Sequence, residues 1–297
     1  QTEFNMSEPE FLISVMDRHK DWAVVIALIG GGQEINTGEA GILGWFKAVH
    51  NRYSHWSAYC SPNLLAGEYV RDDLSEESLD DFQPRPSLHL ATSMRSFRAE
   101  KLSDFVHYLI DGNASAAAAT ISKFSQQFPI VLTRDLKTAK NWIQTKTVAN
   151  RRSGLLASSN GIRLKSEGIF VKNEIEPKNW FLATSDDIRS SNYLEDTGTE
   201  FDVQGLELDW TLIAWDADLR FLNGRFEHWR FSGAKWQRRS KPESQRYLEN
   251  AYRVLLTRAR EGMVIFVPQG DDSDSTRKPL FYQGIADYLK SCGLEEI

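Results

Sequence analysis

The sequence TEFDVQGLELD (residues 199–209) leads directly into the apolar run WTLIAW (residues 210–215). Further along, the helix-like stretch YRVLLTRAR (residues 252–260) ends at Gly262 and leads into a second apolar run, MVIFVP (residues 263–268). Short runs that are apolar throughout are typical of strands buried on both faces of a parallel sheet. These two segments therefore predict a pair of buried strands with charged residues beside them.

Alternating strands and helices are predicted along the rest of the chain. Short apolar runs predict strands at residues 23–29, 88–92, 129–134 and 154–159. Helical patterns lie between or after them, at residues 40–50, 97–110, 115–127, from 135 to about 149, and 278–291. The acidic, proline-containing residues 67–87 read as a connecting segment. Strands that alternate with helices predict an α/β fold with a mostly parallel sheet.

Length and composition place the chain among soluble proteins of one or two domains. It has 297 residues, of which 41% are hydrophobic, with a net charge of −6. Any contact with nucleic acid must therefore come from a local basic face. No apolar stretch is long enough for a membrane span, and the first residues, QTEF, do not show the basic-then-apolar pattern of a secretory signal. Two cysteines cannot form a disulfide framework, so we expect a cytoplasmic protein. The sequence begins with Gln1 and not with methionine, which suggests a piece of a longer protein.

Several motifs of catalysis and metal binding are missing from the sequence. It contains no Gly-x-x-x-x-Gly-Lys-Ser/Thr loop to hold phosphates, and no Gly-x-Ser-x-Gly turn. The six histidines are scattered, and we predict no metal site. Asp216 and Asp218 follow a predicted strand, where we expect a solvated strand exit, not a pair of metal ligands.

Two segments in the first third of the chain carry candidate catalytic residues. Gln33 ends the glycine-rich run GGGQ (residues 30–33), and its amide can hydrogen-bond both a phosphate oxygen and an attacking water. The alternative is a tight turn with a surface glutamine. Arg95 lies in ATSMRSFR (residues 91–98), where a predicted strand leads into a predicted helix. The alternative there is an exposed arginine at the start of a helix.

Two later segments carry candidate binding residues. Ser158, Ser159 and Asn160 end a predicted strand, and their hydroxyls and amide suit contacts to a phosphate backbone, although a plain exit from strand to loop is nearly as consistent. In the segment 199–209, Gly205 lets a ligand approach the backbone and Glu207 can accept a hydrogen bond from a ribose hydroxyl. Thr199, at its start, is a candidate nucleic-acid contact, and the alternative for the whole segment is a solvated loop.

Arginines and aromatic residues dominate the remaining candidates. Arg258 is the arginine of the segment 252–260 that we single out, while Arg253 and Arg260 are as consistent with salt bridges on a helix face. Residues 225–241 interleave cations with aromatic rings, a pattern typical of stacking and phosphate contact on single strands. The candidates there are Arg230, Trp236 and Arg238. A twisted hairpin with its aromatic face packed on the domain explains the pattern nearly as well.

Together, residues 30–33, 91–98, 199–209 and 252–260 resemble motifs III, IV, V and VI of superfamily 1 helicases. The wording GGGQEIN and EFDVQGLELD is similar to that of bacterial helicase-like proteins related to the Schlafen helicase domain. The resemblance implies a RecA-like P-loop NTPase-type parallel sheet with flanking helices. Residues 1–87 would then be the C-terminal remnant of the first lobe and residues 88–297 the second lobe.

The resemblance also implies roles for individual residues. Gln33 would sense the terminal phosphate, Arg95 would approach that phosphate, Arg258 would be the arginine finger, and Gly205 and Glu207 would contact the nucleotide. A departure is Ser93-Met94, which replaces an aromatic residue that stacks on adenine in the family. The resemblance implies that Gln33, Arg95, Glu207 and Arg258 converge around one pocket.

The implied partners are ATP with Mg²⁺ in the full-length protein, single-stranded DNA or RNA, and an N-terminal ATPase lobe of the same polypeptide. The resemblance therefore implies the C-terminal portion of an ATP-dependent helicase or translocase. We expect this chain alone to be inactive, because the phosphate-binding lysine and the metal-binding acids are missing. The alternative is a non-hydrolysing module that keeps the fold and binds nucleic acid or protein.

Overall fold

The computed structural model describes residues 6–28, 42–64, 80–89, 97–148 and 150–297. The chain divides into two compact units, Gln1–Met94 and Arg95–Ile297. Each unit has a hydrophobic core of its own. The assignment of residues 1–87 and 88–297 to the two lobes of a helicase stays a prediction.

The first unit contains two helices and a small parallel sheet in its described residues. The helices are α1 (Glu8–Met16) and α2 (Ile42–Arg52), and the strands are β1 (Ala58–Cys60) and β2 (Phe82–Pro84). Ser7 and Glu10 form a capping box that begins α1, each accepting a hydrogen bond from the other's backbone N–H. The core joins both helices to the sheet through Ile13, Ala48, Val49 and Tyr53, against which Ala58 and Phe82 pack.

The strand predicted at residues 23–29 is wrong over its described part. Residues 22–28 form neither helix nor strand, and Ile26 and Leu28 are 82% and 83% exposed. A buried parallel strand needs neighbouring strands on both sides, and the described part of this unit offers only the pair β1–β2. The apolar run is therefore left without a sheet to join. Ile29 and the glycine-rich run 30–33 lie outside the described residues.

The next predicted strand, at residues 88–92, is also not found where it can be checked. Leu88 ends the 3₁₀ turn Pro86–Leu88, and His89 follows without joining a strand. Proline at the first position of that turn has a fixed φ that suits a helical turn and no N–H for a strand ladder. Residues 90–92 lie outside the described residues. The helix predicted at residues 40–50 is confirmed as α2.

The second unit is built on a six-stranded sheet in which every pair of neighbouring strands is parallel. The helices of this unit are α3 (Phe97–Ile110), α4 (Ala114–Ile121), α5 (Leu136–Lys146), α6 (Pro177–Leu182), α7 (Glu200–Val203), α8 (Pro242–Leu256) and α9 (Leu280–Ser291). Its strands are β3 (Ile130–Thr133), β4 (Ser153–Ala157), β5 (Thr197–Gly198), β6 (Leu208–Ala214), β7 (Leu219–Leu222), β8 (Arg225–Ser232), β9 (Lys235–Arg238), β10 (Ala259–Phe266) and β11 (Glu295–Glu296). The order across the parallel sheet is β11-β3-β10-β6-β4-β5.

Apolar residues on both faces of the sheet explain why helices cover it. Strands β3 and β4 are buried at every position, as expected for central strands of a parallel sheet. On one face, Leu155, Leu212 and Val264 pack with Ala139 and Ile143 of α5. The α/β prediction is confirmed, and the all-parallel sheet flanked by helices is a RecA-like arrangement.

Most elements of this unit agree with the sequence predictions, apart from two helix ends. The alanine-rich helix predicted at residues 115–127 ends at Ile121, and residues 122–128 continue as turns, with Phe124 and Phe128 buried in the core. The helix predicted to reach Gly262 ends at Leu256. It ends there because Ala259 begins β10 and pairs with Leu208 of β6.

The predicted hairpin in residues 225–241 is confirmed as part of a three-stranded antiparallel sheet, β7-β8-β9. This sheet packs on α9, where the rings of Phe221 and Tyr288 stack with centroids 3.8 Å apart. Gly284 of α9 allows that close approach, because a Cβ at this position would collide with the carbonyl oxygen of Phe221. The antiparallel sheet is thereby fixed beside the carboxyl end of β6.

Candidate functional site

The residues that follow β4, Ser158 to Asn160, are called the strand tip here. Ser158 is fully buried, and its Oγ donates to Asp218 Oδ2 at 2.9 Å. Ser159 donates twice to the Glu200 carboxylate, from its backbone N–H at 2.8 Å and from Oγ at 2.7 Å. The strand tip is therefore held in place by two acids that lie far from it in sequence.

The segment that begins at Thr199 crosses the end of β5 beside the strand tip. Thr199 donates to Asp202 Oδ2 from its backbone N–H at 2.8 Å and from Oγ1 at 2.6 Å, which fixes the start of α7. Glu200 is 2% exposed, and burial raises the pKa of its carboxyl group although two hydrogen bonds from Ser159 oppose the rise. The Thr199 hydroxyl thus stabilises the start of α7, and the Glu200 carboxylate holds the strand tip in place.

Arg239 joins the strand tip to the antiparallel sheet. Its guanidinium donates to Asn160 Oδ1 at 2.9 Å, to Ser244 Oγ at 2.8 Å and to the carbonyl oxygen of Trp229 at 3.2 Å. Burial lowers the pKa of Arg239, as does the positive charge of Arg230 nearby. The strand tip and the cationic residues of the antiparallel sheet are therefore neighbours.

The antiparallel sheet distributes the three sequence candidates over its two faces. Trp229 pairs with Arg238, Arg230 with Gln237 and Phe231 with Trp236. Because side chains alternate along a strand, Arg230 lies on one face and Trp236 and Arg238 lie on the other. Arg230 and Arg238 are exposed, and Trp236 is half-buried. A ligand strand that crosses one face therefore cannot contact all three candidates at once.

Arg220 is a buried cation that the sequence analysis missed. It is 3% exposed, and its guanidinium carbon lies 3.7 Å from the ring centroid of Phe281, 4.7 Å from that of Trp229 and 4.8 Å from that of Trp236. Burial lowers its pKa to about 10. Cation–π attraction from three rings offsets part of the cost of burying this charge. Trp236 thus faces a guanidinium of its own chain, which agrees with the alternative that the aromatic face of the hairpin packs on the domain.

Asp216 and Asp218 correct the expectation of a solvated strand exit, because both side chains are fully buried. Asp218 Oδ1 accepts a hydrogen bond from the Tyr252 hydroxyl at 2.6 Å, in addition to the one from Ser158. Asp216 accepts from the Tyr282 hydroxyl at 3.1 Å. Neither contact was visible in the sequence, since Tyr252 and Tyr282 lie on helices far along the chain.

The two buried carboxyl groups affect each other electrostatically. Burial, and then the charge of Asp216, raise the pKa of Asp218 to about 7, while the Tyr252 and Ser158 hydroxyls lower it. Burial also raises the pKa of Asp216, against hydrogen bonds from the backbone N–H groups of Ala217 and Arg163. One of the two carboxyl groups therefore changes its charge near neutral pH.

The segment 203–206 forms a tight turn at the opposite end of α7. The backbone N–H of Leu206 donates to the carbonyl oxygen of Val203 at 3.0 Å. Gln204 has φ −60° and ψ 123°, and Gly205 has φ +82°, the angles of a type II turn, which favours glycine at its third position. A Cβ at Gly205 would meet nothing within 4 Å, so its backbone is open to a ligand.

Arg258 packs against this turn and is 1% exposed. Its Nη1 donates to the carbonyl oxygen of Leu206 at 3.3 Å, its Nε to that of Val254 at 2.9 Å, and its Nη2 to Thr257 Oγ1 at 3.0 Å. The two segments that dominate the sequence analysis, 199–209 and 252–260, therefore meet through this guanidinium. Carbonyl oxygens of the backbone satisfy much of its donor capacity.

The other two arginines of the segment 252–260 form ion pairs. Arg260 Nε donates to Glu207 Oε2 at 2.8 Å, and its side chain is 60% exposed. The hydrogen bond that Arg260 donates to Glu207 raises the pKa of Arg260. Arg253 pairs with Asp111. Salt bridging is thus confirmed for both, although Arg260 lies on strand β10 and not on a helix.

Most of the chain matches the sequence model of a known protein family. The model of the Schlafen group 3 DNA/RNA helicase domain matches residues 1–269. The chain belongs to this family. No curated protein matches the chain. The resemblance to Schlafen-related helicase-like proteins is therefore confirmed, and the RecA-like sheet agrees with it.

Two of the catalytic candidates of this Schlafen group 3 domain lie outside the described residues. They are Gln33 and Arg95. Of the remaining candidates, the structure places Glu207 beside Arg260 and the Gly205 turn beside Arg258. Convergence of all four around one pocket therefore stays a prediction.

Metal, thiol and membrane chemistry add little to the site of the helicase domain. Within the described ranges, no three His, Cys, Asp or Glu side chains are grouped so that they could hold a metal ion. Cys60 and Cys292 are buried, and burial raises the pKa of both thiols. Among the helices that the structure describes, none is long and apolar enough to cross a membrane.

Proposed function

We propose that this Schlafen group 3 domain is the C-terminal portion of an ATP-dependent helicase or translocase that acts on DNA or RNA. It would supply the phosphate-sensing Gln33, the arginine finger Arg258 and part of the nucleic-acid track. The proposal is supported by the family match over residues 1–269 and by the RecA-like sheet. The single observation that carries the nucleic-acid part is the hydrogen bond from Arg239 to Asn160, which joins the strand tip to the cationic antiparallel sheet.

The nucleic-acid track would run from the strand tip towards Arg230, which is exposed. Hydroxyl, amide and guanidinium groups at such a junction suit contacts to phosphates, which position a strand without reading its sequence. Lys172 adds a further cation, because its Nζ donates to the carbonyl oxygen of Ser159 at 2.8 Å. With a net charge of −6 for the whole chain, this local basic face is what would attract a polyanion.

The nucleotide would lie against the Gly205 turn, with Glu207 towards the ribose and Arg258 towards the terminal phosphate. The open backbone at Gly205 fits the close approach of a ligand. A bound ATP with Mg²⁺ would supply the phosphoryl group that is hydrolysed and the charge that Arg258 stabilises. The described residues do not fit a Mg²⁺ site by themselves, so we assign no magnesium ligand to them. Arg95 would approach the same phosphate.

The partner that completes the ATPase would be an N-terminal lobe of the same cytoplasmic polypeptide. Support comes from Ile26 and Leu28, whose apolar side chains are exposed in a segment that joins no sheet within the described residues. A strand of that lobe would cover them by pairing with residues 22–28. Consistent with this, the sequence has no Gly-x-x-x-x-Gly-Lys-Ser/Thr loop, and we expect the chain alone to hydrolyse no ATP.

The test uses two preparations, the chain itself and a longer polypeptide that includes the phosphate-binding loop. Fluorescence anisotropy with labelled single-stranded DNA and RNA measures binding to the chain, and phosphate release measures hydrolysis by the longer form. We expect the chain to bind at least one oligonucleotide and the longer form to hydrolyse ATP. Absence of oligonucleotide binding by both preparations contradicts the nucleic-acid part, and hydrolysis that survives Arg258→Ala contradicts the role of Arg258.

The alternative, a non-hydrolysing module that binds nucleic acid or protein, is favoured by one observation. Arg258 is 1% exposed and donates to backbone carbonyl oxygens, a structural role that needs no nucleotide. If the longer polypeptide binds oligonucleotides but releases no phosphate from ATP with Mg²⁺ present, this alternative replaces the ATPase. In that case Arg258→Lys is expected to change thermal stability and leave oligonucleotide affinity unchanged.

A further inference from the structure

Asp218 is a fully buried side chain that contacts both the strand tip and the helix leading to Arg258. Its carboxylate accepts from Ser158 Oγ at 2.9 Å on one side and from the Tyr252 hydroxyl at 2.6 Å on the other. All three side chains are fully buried. The hydrogen bonds are therefore shielded from water and act at close to their full strength.

At the other end of these contacts, Tyr252 is held in place by ring packing and by a hydrogen bond. Tyr252 lies on α8, six positions before Arg258, and its ring packs on Trp215 with centroids 4.3 Å apart. The backbone N–H of Asp216 donates to the Tyr252 hydroxyl at 3.3 Å. A shift at the end of β6 therefore moves the last turns of α8 as well.

The Ser158 end lies directly beneath Asn160, which belongs to the proposed nucleic-acid track. Ser158 Oγ also accepts a hydrogen bond from the backbone N–H of Asn160 at 3.2 Å, and Asn160 contacts Arg239. A phosphate that moves Arg239 or Asn160 alters the hydrogen bond from the Asn160 backbone N–H to Ser158 Oγ. The hydrogen bond from Ser158 Oγ to Asp218 then changes with it. A ligand bound at the strand tip can thus change the hydrogen bonding of the Asp218 carboxylate.

The carboxyl group of Asp218 also has two distinct arrangements of hydrogen bonds. As a carboxylate it accepts from both hydroxyls, whereas as a carboxylic acid it donates one hydrogen bond, so that one hydroxyl must become an acceptor. The charged groups that face it are Asp216, which raises its pKa, and Arg239, which lowers it. Such a two-state element is what a coupling between separate sites requires.

We propose that Asp218 is a positioning residue that couples nucleic-acid contact at the strand tip to the C-terminal turns of α8, and hence to Arg258. This inference rests on the proposed function, because it takes the strand tip to be a nucleic-acid contact. The coupling runs from Ser158 through Asp218 to Tyr252. It predicts that an oligonucleotide bound at the strand tip makes the end of α8 more rigid.

Hydrogen–deuterium exchange on the chain, with and without single-stranded oligothymidine or oligouridine, tests the coupling. In the wild type we expect the bound oligonucleotide to slow amide exchange at residues 252–258 by about fivefold or more, the lower end of usual coupling energies. In Tyr252→Phe we expect that slowing to vanish while the affinity for the oligonucleotide, from anisotropy, stays within about twofold. Loss of one function with the other intact is a result that a merely structural role of the hydroxyl does not give.

Tyr282→Phe is the matched control, because it removes the hydroxyl that Tyr282 of α9 donates to Asp216 and leaves both hydrogen bonds to Asp218 in place. We expect it to keep the slowed exchange at residues 252–258. If Tyr252→Phe does not fold, Ser158→Ala removes the other hydrogen bond to Asp218, and we expect the slowing to be lost there too at oligonucleotide concentrations that saturate the variant by anisotropy. Retained slowing in the folded variant, or no slowing in a wild type that binds the oligonucleotide, overturns the coupling alone. A wild type that binds no oligonucleotide overturns the proposed track and the coupling with it.

Discussion

Glu200 accepts two hydrogen bonds from Ser159, one from the backbone N–H at 2.8 Å and one from Oγ at 2.7 Å. These residues belong to different parts of the sequence, the segment 199–209 and the end of β4. Glu200 is 2% exposed, so its carboxylate is directed into the protein and not towards a ligand. The acid therefore orders the strand tip, and any nucleic-acid contact made there depends on it.

Glu200→Ala is expected to destabilise the chain and loosen the strand tip. Two partly buried donors on Ser159 would lose their buried acceptor, which costs up to about 1–3 kcal/mol of unfolding free energy for each donor. Urea denaturation measures the loss, and anisotropy is expected to show weaker oligonucleotide binding in the folded variant. Glu195→Ala is the control, since the Glu195 side chain is 57% exposed and pairs only with Lys140 among the contacts described. Equal stability of the two variants contradicts a structural role for Glu200.

The sheet was predictable because its strands are apolar on both faces. Strands β3, β4, β6 and β10 lie within a few residues of the predicted positions, since such runs have few other places in a soluble fold. The run 23–29 had the same composition and gave the wrong answer. Composition predicts that a segment can be buried in a sheet, but whether it pairs depends on strands that must be supplied elsewhere.

The candidate site was less predictable, because burial decided it. Asp216 and Asp218 read as a solvated exit, and only the tyrosines that approach from α8 and α9 reveal them as buried acids. Arg220 carried no sequence signal of its own, although the aromatic residues that surround it were noticed. A pattern in one segment cannot indicate which partners arrive from distant helices.

Arg230→Ala is expected to weaken oligonucleotide binding equally for all sequences and to reduce its salt dependence. Removing one phosphate contact lowers the slope of log affinity against log salt concentration by roughly 0.7 for a single strand. Titrations at several salt concentrations measure the slope. Arg225→Ala is the matched control, because Arg225 is an exposed arginine at the start of the same strand but on its other face. If Arg225→Ala lowers the slope as much as Arg230→Ala does, the track does not follow the Arg230 face.

The unfolding free energy of Asp218→Asn is expected to increase relative to that of the wild type as the pH rises. The pKa of Asp218 is raised from 3.8 to about 7 in the folded state. The folded protein therefore holds this proton more tightly than the unfolded chain, and stability falls between those two pKa values as pH rises. Asparagine has no proton to lose, so the variant escapes that fall.

The measurement is the unfolding free energy of Asp218→Asn minus that of the wild type, by urea denaturation between about pH 5 and about pH 8. We expect this difference to grow with pH and to level off above neutrality. A matched titration of Asp187→Asn is the control, because the exposed pair with Arg189 lowers the pKa of Asp187 to about 2, outside this window. A difference that is flat across the window contradicts a titration of Asp218 near neutral pH.

Arg258→Ala and Arg260→Ala are expected to differ sharply in stability. Arg258 is 1% exposed and donates to the carbonyl oxygens of Leu206 and Val254, and Val254 also accepts from Thr257. Removal of Arg258 therefore takes the donor from Leu206 and leaves an empty space in the protein, at a cost of about 3 kcal/mol or more. The Arg260 side chain is 60% exposed in its pair with Glu207, and such surface pairs contribute about 1 kcal/mol or less. Thermal and urea denaturation of both variants measure the difference. Arg258 also stabilises the fold, so loss of ATP hydrolysis in Arg258→Ala does not by itself show a phosphate contact. Arg258→Lys is expected to keep more of the fold, and loss of hydrolysis in that variant as well supports the phosphate contact. Near-equal stability of the alanine variants contradicts the contacts described for Arg258.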